Sequence, residues 1–354
     1  MNILNKRYTL HIATEEDNQA IRELYEADDF DGNIQVQFLR NPDVFSSLKS
    51  EGEKLVLMLL RDTKNKNRAI AMGTCIIRKE FINRSEKRIG YLTGLKILPA
   101  YRKKILFIPA LYAFLHEQTK NEVDIYYTTI LTSNDVAQRM LEKKHTGMPV
   151  YHYHNDYTVY LFSSKRNNSK VYSLHRGLTK ELKTFYQEQL PANDFTPSHV
   201  ENYHIPDEMF FYLRDKAGSI VAACVVWNQQ KNKQYKVSGY KGLYRIAPYI
   251  PSGLLGYPRF PRPHAQCNYL TYAFVRVKNN NPEIAEILIR KSSEQFSQTD
   301  FLMLGLHESN PLNAIFRNIK HIKYQSRFYT VNWDSENKYQ SQPGISIGLE
   351  VGLL

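Results

Sequence analysis

Apolar runs of strand length alternate along the chain with polar turns and one-faced helical stripes. Residues 8–13 form the first run. Thr14 then has the chemistry of a helix N-cap, with Asp17 three positions on, and Ala20, Ile21, Leu24 and Tyr25 recur at helical spacing. A short second helix is expected within residues 38–48, after Asn41-Pro42. Residues 54–61 and 69–78 read as the two arms of a hairpin around the polar turn 62–68. A charged turn at 84–88 precedes the β-prone run 91–98, which Pro99 stops because it has no N–H to give to a ladder. The turn 101–107 carries Arg102, Lys103 and Lys104. Pro109 suits the first turn of a helix, where its missing N–H costs nothing, and Leu111, Phe114 and Leu115 follow at helical spacing. Residues 123–131 read as a strand, Ser133-Asn134-Asp135 as the start of a helix through 144, and the Tyr-rich stretch 151–162 as a closing strand.

Residues 163–170, SSKRNNSK, have linker composition. The order then begins again, with a strand at 171–175 and a helix at 179–189. Leu213-Arg214-Asp215 echoes Leu60-Arg61-Asp62, and Ala222-Ala223-Cys224 echoes Gly73-Thr74-Cys75. Tyr269-Leu270-Thr271 echoes Tyr91-Leu92-Thr93, and Ser309-Asn310 echoes Ser133-Asn134. Four echoes in one order at nearly constant offset argue for a duplicated unit. The expected organisation is residues 1–162 as one domain, 163–170 as linker and 171–354 as a second domain. Residues 228–268 interrupt the second between two strands.

Composition narrows the class. The 354 residues include 42% hydrophobic and 23% charged, which suits a globular chain with room for full cores. The net charge of +12 favours an anionic ligand or surface without choosing one. Three cysteines, Cys75, Cys224 and Cys267, show no CxxC spacing, so neither a disulfide framework nor a zinc site is expected. Cys75 and Cys224 fall in apolar runs and read as small core residues. The N-terminal residues lack a signal-peptide apolar core, and the longest apolar run, 105–115, is too short to span a bilayer. A cytoplasmic location is the expectation. His152 and His154, two apart on a strand, point the same way, but no third metal ligand is recognisable and they read as a surface pair. His145 could serve as a base, although a solvated or satisfied histidine is the simpler reading.

A helix N-terminus behind a basic turn is a natural pyrophosphate site. Pro99, Tyr101 and Arg102, between an apolar strand and a helix, resemble the acyl-CoA motif of the GCN5-related N-acetyltransferase superfamily. Lys103, Ile105 and Phe107 stand where that family usually has small residues. The resemblance extends over nearly the whole chain as a tandem pair with a degenerate second copy, because Lys278-Asn279-Asn280-Asn281-Pro282 replaces the basic turn there. It implies two mixed α/β (α+β) domains. Each would be a mostly antiparallel twisted sheet flanked by helices, with one splayed strand pair.

The resemblance further implies that acetyl-CoA is the co-substrate. Backbone amides of Leu95, Lys96 and Ile97 would hold its pantetheine arm. Arg102, Lys103, Lys104, Ile105, Leu106 and Phe107 would face the pyrophosphate, and Asn134 would contact the cofactor. The family's catalytic tyrosine position is Leu141 here and Arg317 in the second half. Thr93 and Tyr151 are the remaining candidates for catalysis, with Tyr91 and Tyr153 beside them. The implied activity is acetyl transfer to an amine by direct attack. The alternatives are a non-catalytic acyl-CoA-binding sensor, or a transferase for another acyl or aminoacyl donor.

The segment 228–268 carries seven Lys or Arg residues, no acid, six aromatics and five prolines. That combination suits an acidic substrate or an anionic membrane surface, and nucleic acid less well. A proline-stiffened loop packed over the cleft, its cations solvated, is the blander reading.

Overall fold

The computed structural model describes residues 2–4, 7–27, 29, 32–102, 107–142, 146–164, 169–334 and 336–354. In chain order the first half gives β1 (Asn2–Leu4), β2 (Tyr8–Ile12), α1 (Asn18–Glu26), β3 (Ile34–Leu39), α2 (Val44–Lys49), β4 (Lys54–Asp62) and β5 (Arg68–Ile82). It continues with β6 (Ser85–Ile97), α3 (Ile108–Thr119), β7 (Ile125–Leu131), α4 (Asp135–Glu142) and β8 (Val150–Phe162). The second half supplies β9 (Ser173–Arg176), α5 (Lys180–Gln189), β10 (Asn193–Asp194), β11 (Thr196–Pro197), β12 (Phe210–Arg214) and β13 (Ile220–Trp227). It ends with β14 (Gln234–Tyr240), β15 (Tyr269–Val277), α6 (Pro282–Ser293), β16 (Phe301–His307), β17 (His321–Asn332) and β18 (Ser346–Ile347).

One mixed, mostly antiparallel sheet runs through both halves in the order β1-β2-β4-β5-β6-β7-β17-β8-β16-β15-β13-β12-β9. Only β6–β7 and β15–β16 are parallel neighbours along it. The closing strands are exchanged. β17, from the second half, lies between β7 and β8, and β8, from the first half, pairs with β16. The halves therefore share a continuous ladder across residues 150–162 and 321–332.

The patterns explain the layers. From Ala222 onward β13 alternates: Ala222, Cys224 and Val226 join α6 through Ala285, Leu288 and Ile289. Ala223, Val225 and Trp227 join α5 through Leu182 and Phe185 on the other face. Both faces are covered, which is why this strand reads as a continuous apolar run.

The expected helix at 38–48 is instead a strand, a break and a helix. Ile34, Val36 and Phe38 alternate with glutamines at period two, so β3 forms and pairs with β14 of the second half. α2 starts only after Asp43, whose side chain accepts from the Phe45 and Ser46 amides.

Both halves carry the same bulge. Gly73 of β5 opposes Gly94 and Leu95 of β6, and Cys224 of β13 opposes Phe274 and Val275 of β15. The residues at the bulge, Gly94 (φ 62°) and Phe274 (φ 51°), are both left-handed. The structural match thus lies two residues away from the sequence echoes of Gly73 with Ala222 and of Tyr91 with Tyr269.

Candidate active site

β6 and β7 pair only through Ile89–Ile125, Gly90–Tyr126 and Tyr91–Tyr127. β5 holds the outer edge of β6 as far as Ile97, and β17 holds the outer edge of β7 as far as Leu131. The inner edges diverge between these two anchored strands and leave a V-shaped cleft. Thr128 Oγ1 donates to the Leu92 carbonyl at its apex (2.7 Å), and the Tyr91 and Thr129 hydroxyls meet across it (3.4 Å). Thr93 sits opposite Thr74, next to the bulge. Gly94 turns the strand there, where a Cβ would lie 3.2 Å from Tyr25 Oη and 3.3 Å from Thr74 Oγ1. Leu95, Lys96 and Ile97 complete the β6 wall, and the Lys96 ammonium lies 5.8 Å from the Tyr25 ring centre.

The turn after β6 is fixed by its tyrosine. Tyr101 is buried and donates to Asp62 Oδ2 (2.9 Å), while Arg7 clamps the same carboxylate through two nitrogens. These bonds hold the Asp62 carboxyl down to about 2. Arg102 is exposed and returns its Nε to the Ile97 carbonyl (3.2 Å). Lys103, Lys104, Ile105 and Leu106 lie outside the described residues, as does His145. Phe107 precedes α3 with its ring buried and packed against Tyr8 (6.1 Å). Asn134 follows β7 and caps α4 by accepting from the Ala137 amide (3.1 Å).

Tyr151 is placed away from the apex. It lies on β8 with its hydroxyl 2.5 Å from that of Tyr112 on α3 and its ring against Tyr329. Burial drives its ionisation well above the ordinary tyrosine range. His154 is held by Thr330 Oγ1 (2.8 Å), and among the described residues no three His, Cys, Asp or Glu side chains gather as a metal site.

The second cleft is filled. β15 and β16 separate beyond Tyr272–Leu304. Glu350 enters there, accepting from the Phe274 amide (2.8 Å) and from Arg276 (3.1 Å), and Leu353 packs with Phe274 and Trp227.

A charged cluster not read from the sequence lies behind the first cleft. Glu51 is fully buried, 2.5 Å from Arg40 and 3.0 Å from Lys233. Lys233 also donates to the carbonyls of Gly352 and Leu354, and burial lowers it to about 8. Arg78 donates Nε to Glu80 (2.7 Å), Nη1 to the Glu51 and Leu353 carbonyls, and Nη2 to the Tyr127 hydroxyl. Tyr127 in turn donates to Glu80 Oε1 (3.2 Å). Burial raises the Glu80 carboxyl against the pull of Arg78, and its Oε2 has no partner among the described residues. A sequence signal did exist. Arg78 and Glu80 share one face of a strand whose other positions are almost all apolar, the pattern of an internal ion pair.

Arg78 also lines a cavity of about 790 Å³ between the two halves. Residues 49–53 and 78–79 wall it on one side, and residues 199–209 and 227–232 on the other. The Arg78 guanidinium stands 5.4 Å from the Tyr91 ring centre and 5.8 Å from that of Tyr127. It is thus the link between this cavity and the last paired residues of β6 and β7.

Solved structures share this architecture. A GCN5-related N-acetyltransferase from Sphaerobacter thermophilus aligns with a TM-score of 0.58 at 13% identity, covering 99% of each chain. N-myristoyltransferase from Saccharomyces cerevisiae, solved with bound myristoyl-CoA, aligns with a TM-score of 0.58 at 11% identity, covering 97% of this chain and 85% of that one. A putative acetyltransferase from Pyrococcus horikoshii gives 0.53 at 10% identity, over 99% and 97%. No family model matches the chain, and no curated protein matches it in sequence. The fold is that of the GCN5-related acetyltransferases, which the N-myristoyltransferases share.

Proposed function

We propose that the protein is an acyl-CoA-dependent N-acyltransferase whose donor lies in the β6–β7 cleft. The divergence of two strands, each anchored on its outer edge and bent at Gly94, carries this reading. Backbone groups of Leu95, Lys96 and Ile97 then pair with the pantetheine amides as an extra strand would. Arg102 with residues 103–107 and the N-terminus of α3 take the pyrophosphate. Asn134 borders the cofactor from beyond β7. The second half is a degenerate copy whose cleft is closed by Glu350 and Leu353 and whose surface helps build the cavity.

The acceptor amine enters from the cavity and meets the thioester at the apex. Glu80, through the Tyr127 hydroxyl, takes the proton that the amine loses, a role helped by its raised carboxyl. Tyr91, which burial keeps protonated, faces the apex and returns a proton to the leaving thiolate, with Thr93 and Thr129 orienting it. Tyr151, committed to Tyr112, supports α3.

Acetyl-CoA is the expected donor, and the fold shared with a myristoyl-CoA-binding enzyme makes longer acyl-CoAs the comparison to run. Calorimetric titration with acetyl-CoA, longer acyl-CoAs and free CoA tests the donor site. Saturable binding lost in an Arg102→Ala, Lys103→Ala variant supports it, and binding to none of the three excludes it. With an accepted amine, Glu80→Gln should leave donor affinity intact and lower kcat by about a hundredfold or more. Binding without turnover over a broad amine panel favours the sensor reading.

A further inference from the structure

The segment 228–268 divides into two parts with different tasks. Its first part, β14, is joined to β3, and Val237, Tyr240 and Cys267 are buried in the core of the first half. Its second part does the opposite. Twelve large apolar side chains are exposed among the described residues, and eight of them fall between Leu243 and Tyr257. Leu243 is 89% exposed, Leu254 88% and Tyr249 75%. Side chains this open stand out from the surface, with little among the described residues packed against them.

The tip is held firmly in this form. Leu254 and Tyr257 donate their amides to the Pro251 and Ser252 carbonyls (both 3.0 Å), and buried Ser252 donates its hydroxyl to the Pro258 carbonyl (2.6 Å). Pro248 and Pro251 fix φ within it. From below, Lys320 donates to the Leu255 carbonyl (3.0 Å), Ser163 to that of Tyr257 (2.6 Å) and Arg259 to that of Ser297 (3.2 Å). The exposure of the leucines is therefore built in.

The charge around the tip has one sign. Residues 228–268 contain no acid, Arg245 lies exposed among the apolar side chains, and Arg262 and Lys320 are exposed at its base. Asp300, whose carbonyl accepts from the Arg259 amide at the base of the segment, turns its carboxylate onto the Asn268 amide.

We propose that residues 243–257 dock the protein on an anionic lipid bilayer. Leu243, Ile246 and Leu254 enter the acyl boundary, the tyrosines lie at headgroup depth, and Arg245, Arg262 and Lys320 pair with lipid phosphates. A protruding apolar tip rimmed by cations matches a soft anionic interface. A flat protein interface would call for a broad, even patch. Through β14 and β3 the docked tip is tied to the half that carries the open cleft.

The test is co-sedimentation of the full chain with vesicles of phosphatidylcholine alone and with about 30% phosphatidylglycerol added. The expected result is binding that is at least tenfold tighter to the anionic vesicles. A Leu243→Ser, Leu254→Ser variant, shown by circular dichroism and thermal midpoint to be folded, should lose at least tenfold in vesicle binding. An Arg245→Ala, Arg262→Ala variant should lose the preference for anionic lipid. No binding to either vesicle, or binding that the leucine variant retains, overturns the proposal. So does a light-scattering result in which the chain is a dimer that the leucine variant turns into a monomer, since the tip is then a contact between copies. Neither donor nor acceptor is present in these measurements, so their outcome is independent of transfer activity.

Discussion

Two residues at one structural position show how much a single φ value decides. Gly94 and Phe274 occupy the same bulge, both in the left-handed region. A side chain there costs about 1–2 kcal/mol. At Phe274 the ring repays that cost by filling the core beside Trp227 and Leu353. At Gly94 there is no room for such a ring, since even a Cβ would press on Tyr25 Oη and Thr74 Oγ1, and in the proposed reading the kink it allows opens the donor cleft. Gly94→Ala should therefore lose about 1–2 kcal/mol of stability by thermal or urea unfolding, and its acyl-CoA affinity should fall more than tenfold by calorimetry. Unchanged affinity in a folded Gly94→Ala protein would place the donor elsewhere. The sequence displays Tyr91-Leu92-Thr93-Gly94 in full, but nothing local announces that the strand bulges there. The bulge belongs to the pairing with β5, which is a long-range property. The buried charges were hidden for a related reason. Arg78 and Glu80 at least stand in an apolar strand, but Glu51 looks like a surface residue until the second half covers it, and Lys233, from the insertion, is part of that cover.

Elements were more legible than their partners. β4, β5, β6, β7, α1 and α3 could be read because each satisfies one period over a long run and has its own stop signals. β3 was missed because Asn41-Pro42 and the apolar residues beyond it looked like a helix start, while its pairing partner lies almost two hundred residues away. The exchange of β8 and β17 could not be read at all, since a Tyr-rich strand fits equally beside its own half or its neighbour's. Its consequence is measurable. His154 of β8 and His307 of β16 are packed where the exchanged strands meet, His307 Nε2 donating to the His154 carbonyl (2.6 Å). Burial first, then His152 and His307, lower His154 to about 4, and burial also lowers His307. In the unfolded chain both would titrate near the ordinary histidine value of about 6.5. Between these limits the unfolded state binds more protons, so stability rises with pH across the window. It should be complete above about 6.5 and be lost as pH falls toward 4, seen as a falling unfolding midpoint. A His154→Gln variant should show a shallower fall over the same window, and an identical slope would place the titrating groups elsewhere.

At the scale of the whole molecule, the two halves offer the same cleft and treat it oppositely. In the first, β6 and β7 stop pairing at Tyr91–Tyr127, and among the described residues no strand fills the gap between them. In the second, the chain itself supplies an anion, because Glu350 takes the Phe274 amide and Arg276, and Leu353 occupies the space beside them. Removing that carboxylate would not free a second donor site. It would leave the buried Phe274 amide unpaired and the Arg276 guanidinium with its bond to the Val275 carbonyl but no counter-charge, and losing one member of such a buried pair costs about 3–5 kcal/mol. A second donor would have to displace the whole terminal segment, including the Leu353 carbonyl that Arg78 holds and the Gly352 carbonyl that Lys233 holds. Those bonds belong to the charged cluster behind the first cleft, so opening the second cleft would disturb the first. The expected stoichiometry is therefore one acyl-CoA per chain. Glu350→Ala should lower the unfolding midpoint sharply and leave the stoichiometry at one in whatever fraction remains folded. Two sites per chain, in either protein, would mean that the second cleft opens for ligand and that the two halves are working copies.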